Sequence, residues 1–133
     1  MKKLTNSQLA YHGLRIAFGI SFMVHGAVRF SDLSGFATKM AGQFESSILA
    51  GFPALSFAYI IPFAEALIGL ALLIGSKCVR WGAFAGCLLM AGIMFGTCML
   101  QKWELLTSQL LHLYLFYIIL NNPNTADVSG KSA

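Results

Sequence analysis

The stretch from Trp81 to Leu100 runs for twenty residues without one charged side chain. At about 1.5 Å per residue a helix of that length crosses the ~30 Å hydrocarbon core of a bilayer. Phe57 to Gly75 is nineteen residues long with Glu65 as its only charge. Leu9 to Phe30 contains Arg15 and His25 and closes on Arg29, while the sixteen residues from Leu105 to Leu120 reach a span with Trp103, Glu104 and Asn121 at their ends. Together the four runs predict an all-α integral membrane four-helix bundle. Composition agrees, because 57% of the 133 residues are hydrophobic and only 11% are charged, against ~25% charged in soluble domains. So few polar groups cannot cover a soluble fold, and so much apolar surface cannot stay unfolded in water, which excludes both a soluble enzyme and a disordered chain.

The formal net charge of +4 does not indicate nucleic acid, since the basic residues are scattered between apolar runs and form no phosphate-binding face. They mark membrane flanks instead. With four spans, Lys2, Lys3, Lys77, Arg80 and Lys131 share one side and Arg29, Lys39 and Lys102 the other. Positive charge gathers on the cytoplasmic side, which predicts both termini there. Arg15, near the inner end of the first span, leans the same way and can snorkel to the interface. A cleaved leader is the alternative for the first run, but His25 sits where a small residue should precede the cut.

Between the first and second spans, Leu33, Phe36, Met40, Phe44 and Ile48 recur at intervals of three and four, one stripe of an amphipathic helix. Ser31 or Asp32 can cap its start, and Gly51 followed by Pro53 ends it. With Lys39, Gln43, Glu45 and Ser46 facing away, this helix is expected to lie flat on the outer surface as a lid. Residues 1–121 are thus the membrane domain, and the polar stretch 122–133 is expected to be a loose cytoplasmic tail. Small residues mark close helix contacts in lipid. Gly82, Gly86, Gly92 and Gly96 on the third span, and Gly19 and Gly26 on the first, serve either packing within the bundle or, for the third span, a homo-oligomer seam.

An ionisable side chain at bilayer depth costs about 2.5 to 3.5 kcal/mol on insertion scales, so each one needs a reason. Glu65 falls roughly 12 Å below the outer hydrocarbon surface, Gln109 and His112 roughly 6 and 10 Å, and His25 about 5 to 8 Å. These four come from three runs, and turning all of them inward lets them satisfy one another. Arg29, one turn outward from His25, can reach the same place, with Tyr59, Tyr114 and Trp103 as a border. The cluster reads either as a satisfied polar core that fixes helix register or as a pocket whose carboxyl, imidazoles and guanidinium suit a carbonyl ligand such as a quinone head group.

Two His and one Glu also form the facial set of non-haem iron sites. No His-xxx-His or Glu-xx-His pair lies on one helix, and no metal is assigned. Cys87, Met90, Met94 and Cys98 line up on the third span as packing residues or as a soft row for copper(I). Cys78, Cys87 and Cys98 are nine and eleven residues apart, or about 13 and 16 Å along a helix, beyond the reach of a disulfide.

The stretches Gly13-Leu14-Arg15-Ile16-Ala17-Phe18-Gly19 and Val24-His25-Gly26-Ala27-Val28-Arg29-Phe30 resemble the first helix of the DoxX family, in which a basic residue follows a His-Gly pair. Ile61 to Gly75, with Glu65 and then Gly69 four residues on, resembles its second helix. The likeness covers about residues 13 to 120. It implies a small four-helix protein of the inner (cytoplasmic) membrane, related to subunits of quinol oxidase and thiosulfate:quinone oxidoreductase, with His25, Arg29, Glu65 and Arg15 matching the family's polar pattern. Gln109 and His112 rest on depth alone.

Three functions follow as expectations. The first is a redox-associated subunit that binds a quinone through His25, Arg29, Glu65, Gln109 and His112. It needs an electron-donating partner protein, because no haem, flavin or iron-sulfur motif is present. The second is a small proton-coupled exporter using Glu65, and the third a non-catalytic assembly subunit.

Overall fold

The computed structural model describes residues 3–126. Its helices are α1 (Asn6–Ala27), α2 (Leu33–Gly42), α3 (Phe52–Ile74), α4 (Lys77–Met99), α5 (Leu106–Leu120) and a short α6 (Pro123–Ala126), with 3-10 turns at Val28–Asp32 and Trp103–Leu105. There is no strand among the described residues. Three segments are long and apolar enough to cross a membrane, namely Phe52–Ile74, Lys77–Met99 and Trp103–Leu120.

Local chemistry sets the helix ends. Thr5 and Gln8 form a capping box at the start of α1, each side chain accepting from the other's backbone N–H. The Asp32 carboxylate accepts from the N–H of Gly35 at 3.1 Å and starts α2. Gly51, at φ 78°, turns the chain into α3 with Pro53 in its first turn, and Gly75, at φ 83°, turns it out.

Arg15 secures the end of α3. The sequence leaves it free to snorkel, but the side chain is buried and folds across the helix end, where Nη1 donates to the carbonyls of Leu72 and, at 3.2 Å, Leu73. Last-turn carbonyls have no partner within their own helix and carry its negative dipole end, so a buried guanidinium is satisfied there without a carboxylate. Replacing Arg15 with Met is expected to cost about 1–3 kcal/mol, the penalty for unsatisfied buried carbonyls, read as a lower unfolding midpoint in detergent.

Helices α1 and α3 run antiparallel in near backbone contact. A Cβ on Gly26 would stand 2.4 Å from the Pro62 carbonyl oxygen and 2.6 Å from the Ala66 nitrogen. One on Gly69 would stand 2.2 Å from the Met23 nitrogen, and one on Gly19 would stand 3.1 Å from the Gly69 carbonyl oxygen. The third-span glycines each receive a group from this same chain: Ala71 at Gly82, Phe116 at Gly86, Phe57 at Gly92 and Phe44 at Gly96. Packing within the chain therefore uses all four.

The core joins α1, α3, α4 and α5. Phe116 is fully buried on the bare backbone of Gly86, with ring centroids 4.7 Å from Phe18 and 5.1 Å from Phe22. This closes the ring of helices, since α3 packs on α4, α4 on α5, and α5 returns to α1 through these aromatics.

The connection after α1 departs from a single long helix. Helix α2 stops at Gly42, and turns carry the chain to Gly51. Of the expected stripe, Phe44 is buried while Leu33, Phe36 and Met40 are half-buried, but Ile48 lies beyond the helix end and is 83% exposed. The segment expected as a tail from residue 122 opens with α6, whose Thr125 is buried and donates to the Ile119 carbonyl at 2.5 Å, its hydroxyl 2.9 Å from that of Tyr11. Residues 127–133 of that segment lie outside the described residues.

Candidate functional site

The α1–α3 crossing positions the polar residues. Gly26 follows His25, and Gly69 lies one turn beyond Glu65, so the two glycines that let the backbones touch carry His25 and Glu65 to the same crossing. Arg29, in the 3-10 turn after α1, reaches back to it. Its Nη1 donates to Glu65 Oε2, the one salt bridge among the described residues. The Glu65 side chain is 6% exposed and that of Arg29 is 22% exposed, so the pair is shielded more on the carboxylate side.

Arg29 also holds His25. Its Nη2 lies 2.8 Å from His25 Nε2, and because a guanidinium only donates, that nitrogen accepts and the ring proton sits on Nδ1. The guanidinium lies over the Phe36 ring at 4.4 Å from its centroid, a cation–π contact from α2.

On α5, His112 Nδ1 lies 2.7 Å from the Ser108 carbonyl oxygen. A carbonyl only accepts, so Nδ1 carries the proton and Nε2 is left as an acceptor. The imidazole rests near Phe18 and Phe22, with centroids 5.9 and 6.3 Å away, and lines the same cavity as His25 and Glu65. Gln109 Nε2 donates to Thr97 Oγ1 at 2.7 Å, and the Thr97 hydroxyl donates to the Ile93 carbonyl at 3.0 Å. The hydroxyl has one proton, so this chain fixes the amide orientation. Gln109 Oε1 remains buried without a hydrogen-bond partner, and such an orphaned acceptor costs free energy unless a donor reaches it.

All five residues singled out in the sequence, His25, Arg29, Glu65, Gln109 and His112, line one cavity of about 570 Å³, within the range of small-molecule sites. Tyr59, Tyr114 and Trp103, expected at its border, do not line it. Lys39 and Gln43, expected to face water from the lid, do. Phe36, Lys39 and Met40 of α2 and Gln43 just after it line the polar cavity together, so the face that α2 turns to the cavity is not wholly apolar. Thr97 was missed as the partner of Gln109, although it is the only hydroxyl in the run from Trp81 to Leu100.

The cavity offers N–H donors from Arg29 and His25, acceptors on His112 and Gln109, and a carboxylate. Such a set can orient a carbonyl compound and hold or move a proton beside it. Among the described residues no group of three or more His, Cys, Asp or Glu is placed to hold a metal ion. All three cysteines are free.

Apolar helices of spanning length around an ion-paired polar cavity define a small integral membrane protein. A sequence model of the DoxX family matches residues 10–98, more than half of the chain, and the chain belongs to that family. No curated protein and no solved structure matches it.

Proposed function

We propose that this chain is a four-span subunit of the inner membrane that binds a quinone, or a lipid-soluble carbonyl ligand of the same kind, in the cavity between α1, α3 and α5. The observation that carries the reading is the convergence of His25 and Arg29, Glu65, and Gln109 and His112, from three parts of the chain, on one cavity. Antiparallel contact along α3 supports α1 as the fourth span, because a helix of 22 residues paired lengthwise with a spanning helix crosses the same thickness. The distribution of Lys and Arg supports cytoplasmic termini, with α2 on the outer face.

A bound quinone would supply two reducible carbonyls. The chain's own part is to present Arg29 and the His25 Nδ1–H as donors and to keep Glu65 and the two imidazoles as proton carriers beside them. Reduction takes two electrons with two protons, and the electrons come from a partner protein with its own redox group.

Lipid extraction tests the reading. Wild type purified in detergent should carry quinone detectable in the extract, and Glu65→Gln and His25→Ala should each carry at least tenfold less per folded molecule. Equal content in all three would discard the site. A polar core serving assembly alone predicts lost folded protein and no change per surviving molecule.

A further inference from the structure

A second cavity, of about 330 Å³, lies beside the first and is mainly apolar, with Gln43, Thr97, Lys102 and Gln109 as its polar lining. Phe44, Leu49, Ala54, Phe57, Phe95 and Leu100 form its walls. Met40, Gln43, Ile93, Leu105 and Gln109 line both cavities, so the two share a boundary. Gln109 stands at that boundary, its Nε2 on Thr97, which belongs to the apolar side. Over the second cavity, Lys102 Nζ donates to Gln43 Oε1 at 2.5 Å and ties the α4–α5 turn to the segment after α2. The bare backbones of Gly92 and Gly96 form part of the wall.

We infer that the apolar cavity is a tail chamber, and that the ligand is an amphiphile whose head occupies the polar cavity while the first part of its chain turns past Gln109 into the protein rather than directly into lipid. The inference rests on the reading of the polar cavity as the head-group site. Apolar burial alone does not drive a chain from lipid into protein, since acyl tails are equally apolar. Adjacency drives it here: a head seated among His25, Arg29 and Glu65 has an apolar space of matching character next to it. At ~30 Å³ for each group the size of a water molecule, the chamber accommodates a chain of about ten carbons, and a longer one must leave it.

The experiment uses a benzoquinone with a ten-carbon chain and a diazirine on the terminal carbon, irradiated with the full-length protein in lipid nanodiscs. Peptide mapping should place the label on residues 44–57 and 92–100. An excess of the same quinone without a chain should reduce that label at least fivefold, because both compete for the head site. Leu49→Trp, which fills the chamber, should reduce it similarly while leaving binding of the chainless quinone within twofold. Label confined to outward-facing Phe63, Leu67 or Trp81, with the chainless quinone still binding, overturns the tail chamber alone. Chamber label that the chainless quinone does not displace overturns it as well, since head and tail would then belong to different sites. Failure of both compounds to bind overturns the head-group reading and the tail chamber together.

Discussion

Gly69→Ala is expected to remove most of the folded protein. The added methyl would stand 2.2 Å from the Met23 nitrogen and 2.6 Å from its Cα. These are backbone atoms, so no rotamer change relieves the clash and the two helices must separate. Overpacking costs about 1–3 kcal/mol where side chains can shift, and the cost here should reach or exceed the upper end. Gly26→Ala meets the Pro62 carbonyl and the Ala66 nitrogen in the same way. Gly13→Ala is the comparison, because nothing lies within 4 Å of its added carbon and alanine gains about 1 kcal/mol over glycine in a helix. Unfolding midpoints in detergent should therefore rise or hold for Gly13→Ala and collapse for the other two. Equal midpoints for all three would mean that α1 and α3 do not cross at these positions.

That crossing explains why much of the site was legible in the sequence. A polar residue on an apolar run must find polar company, and an apolar surrounding offers little of it, so pattern alone directs His25, Glu65, Gln109 and His112 toward one another. The neighbouring glycines mark where the helices meet. Other features depend on tertiary geometry that local pattern does not encode. Arg15 had two satisfactory destinations, the interface or a helix end, and only the placement of the α3 terminus chooses between them. The stripe from Leu33 to Ile48 continues in register past Gly42, but the helix does not, so the positions of Phe44 and Ile48 follow turns rather than periodicity. Lys39 and Gln43 read as a water-facing edge because lysine and glutamine are the same residues whether they face bulk water or a polar cavity. Depth alone places Gln109, and depth does not distinguish an amide held at one end by Thr97 and unpartnered at the other.

The Arg29–Glu65 pair separates a ligand site from a structural core most sharply. Breaking a buried pair by removing one partner costs about 3–5 kcal/mol, whereas replacing both partners with apolar residues is often neutral or stabilising. The two single losses should differ. Arg29→Met strands the more deeply buried carboxylate, whose one side-chain hydrogen bond among the described residues is to Arg29. Glu65→Gln leaves a guanidinium that is still partly exposed, still bonded to His25 and still stacked on Phe36. The arginine variant should therefore lose the larger part of the 3–5 kcal/mol, and the glutamine variant about 1.5–3 kcal/mol, in the range of a single charge-assisted hydrogen bond. The double variant Arg29→Met/Glu65→Leu should recover most of the arginine loss, which unfolding midpoints of wild type, both singles and the double will measure. Quinone content of the double variant then decides the role of the pair. A stable double variant without quinone assigns the pair to ligand binding, because helix packing has survived its removal. A stable double variant that retains wild-type quinone content reduces the pair to a device for helix register and leaves the His25 imidazole as the N–H donor that meets a quinone carbonyl.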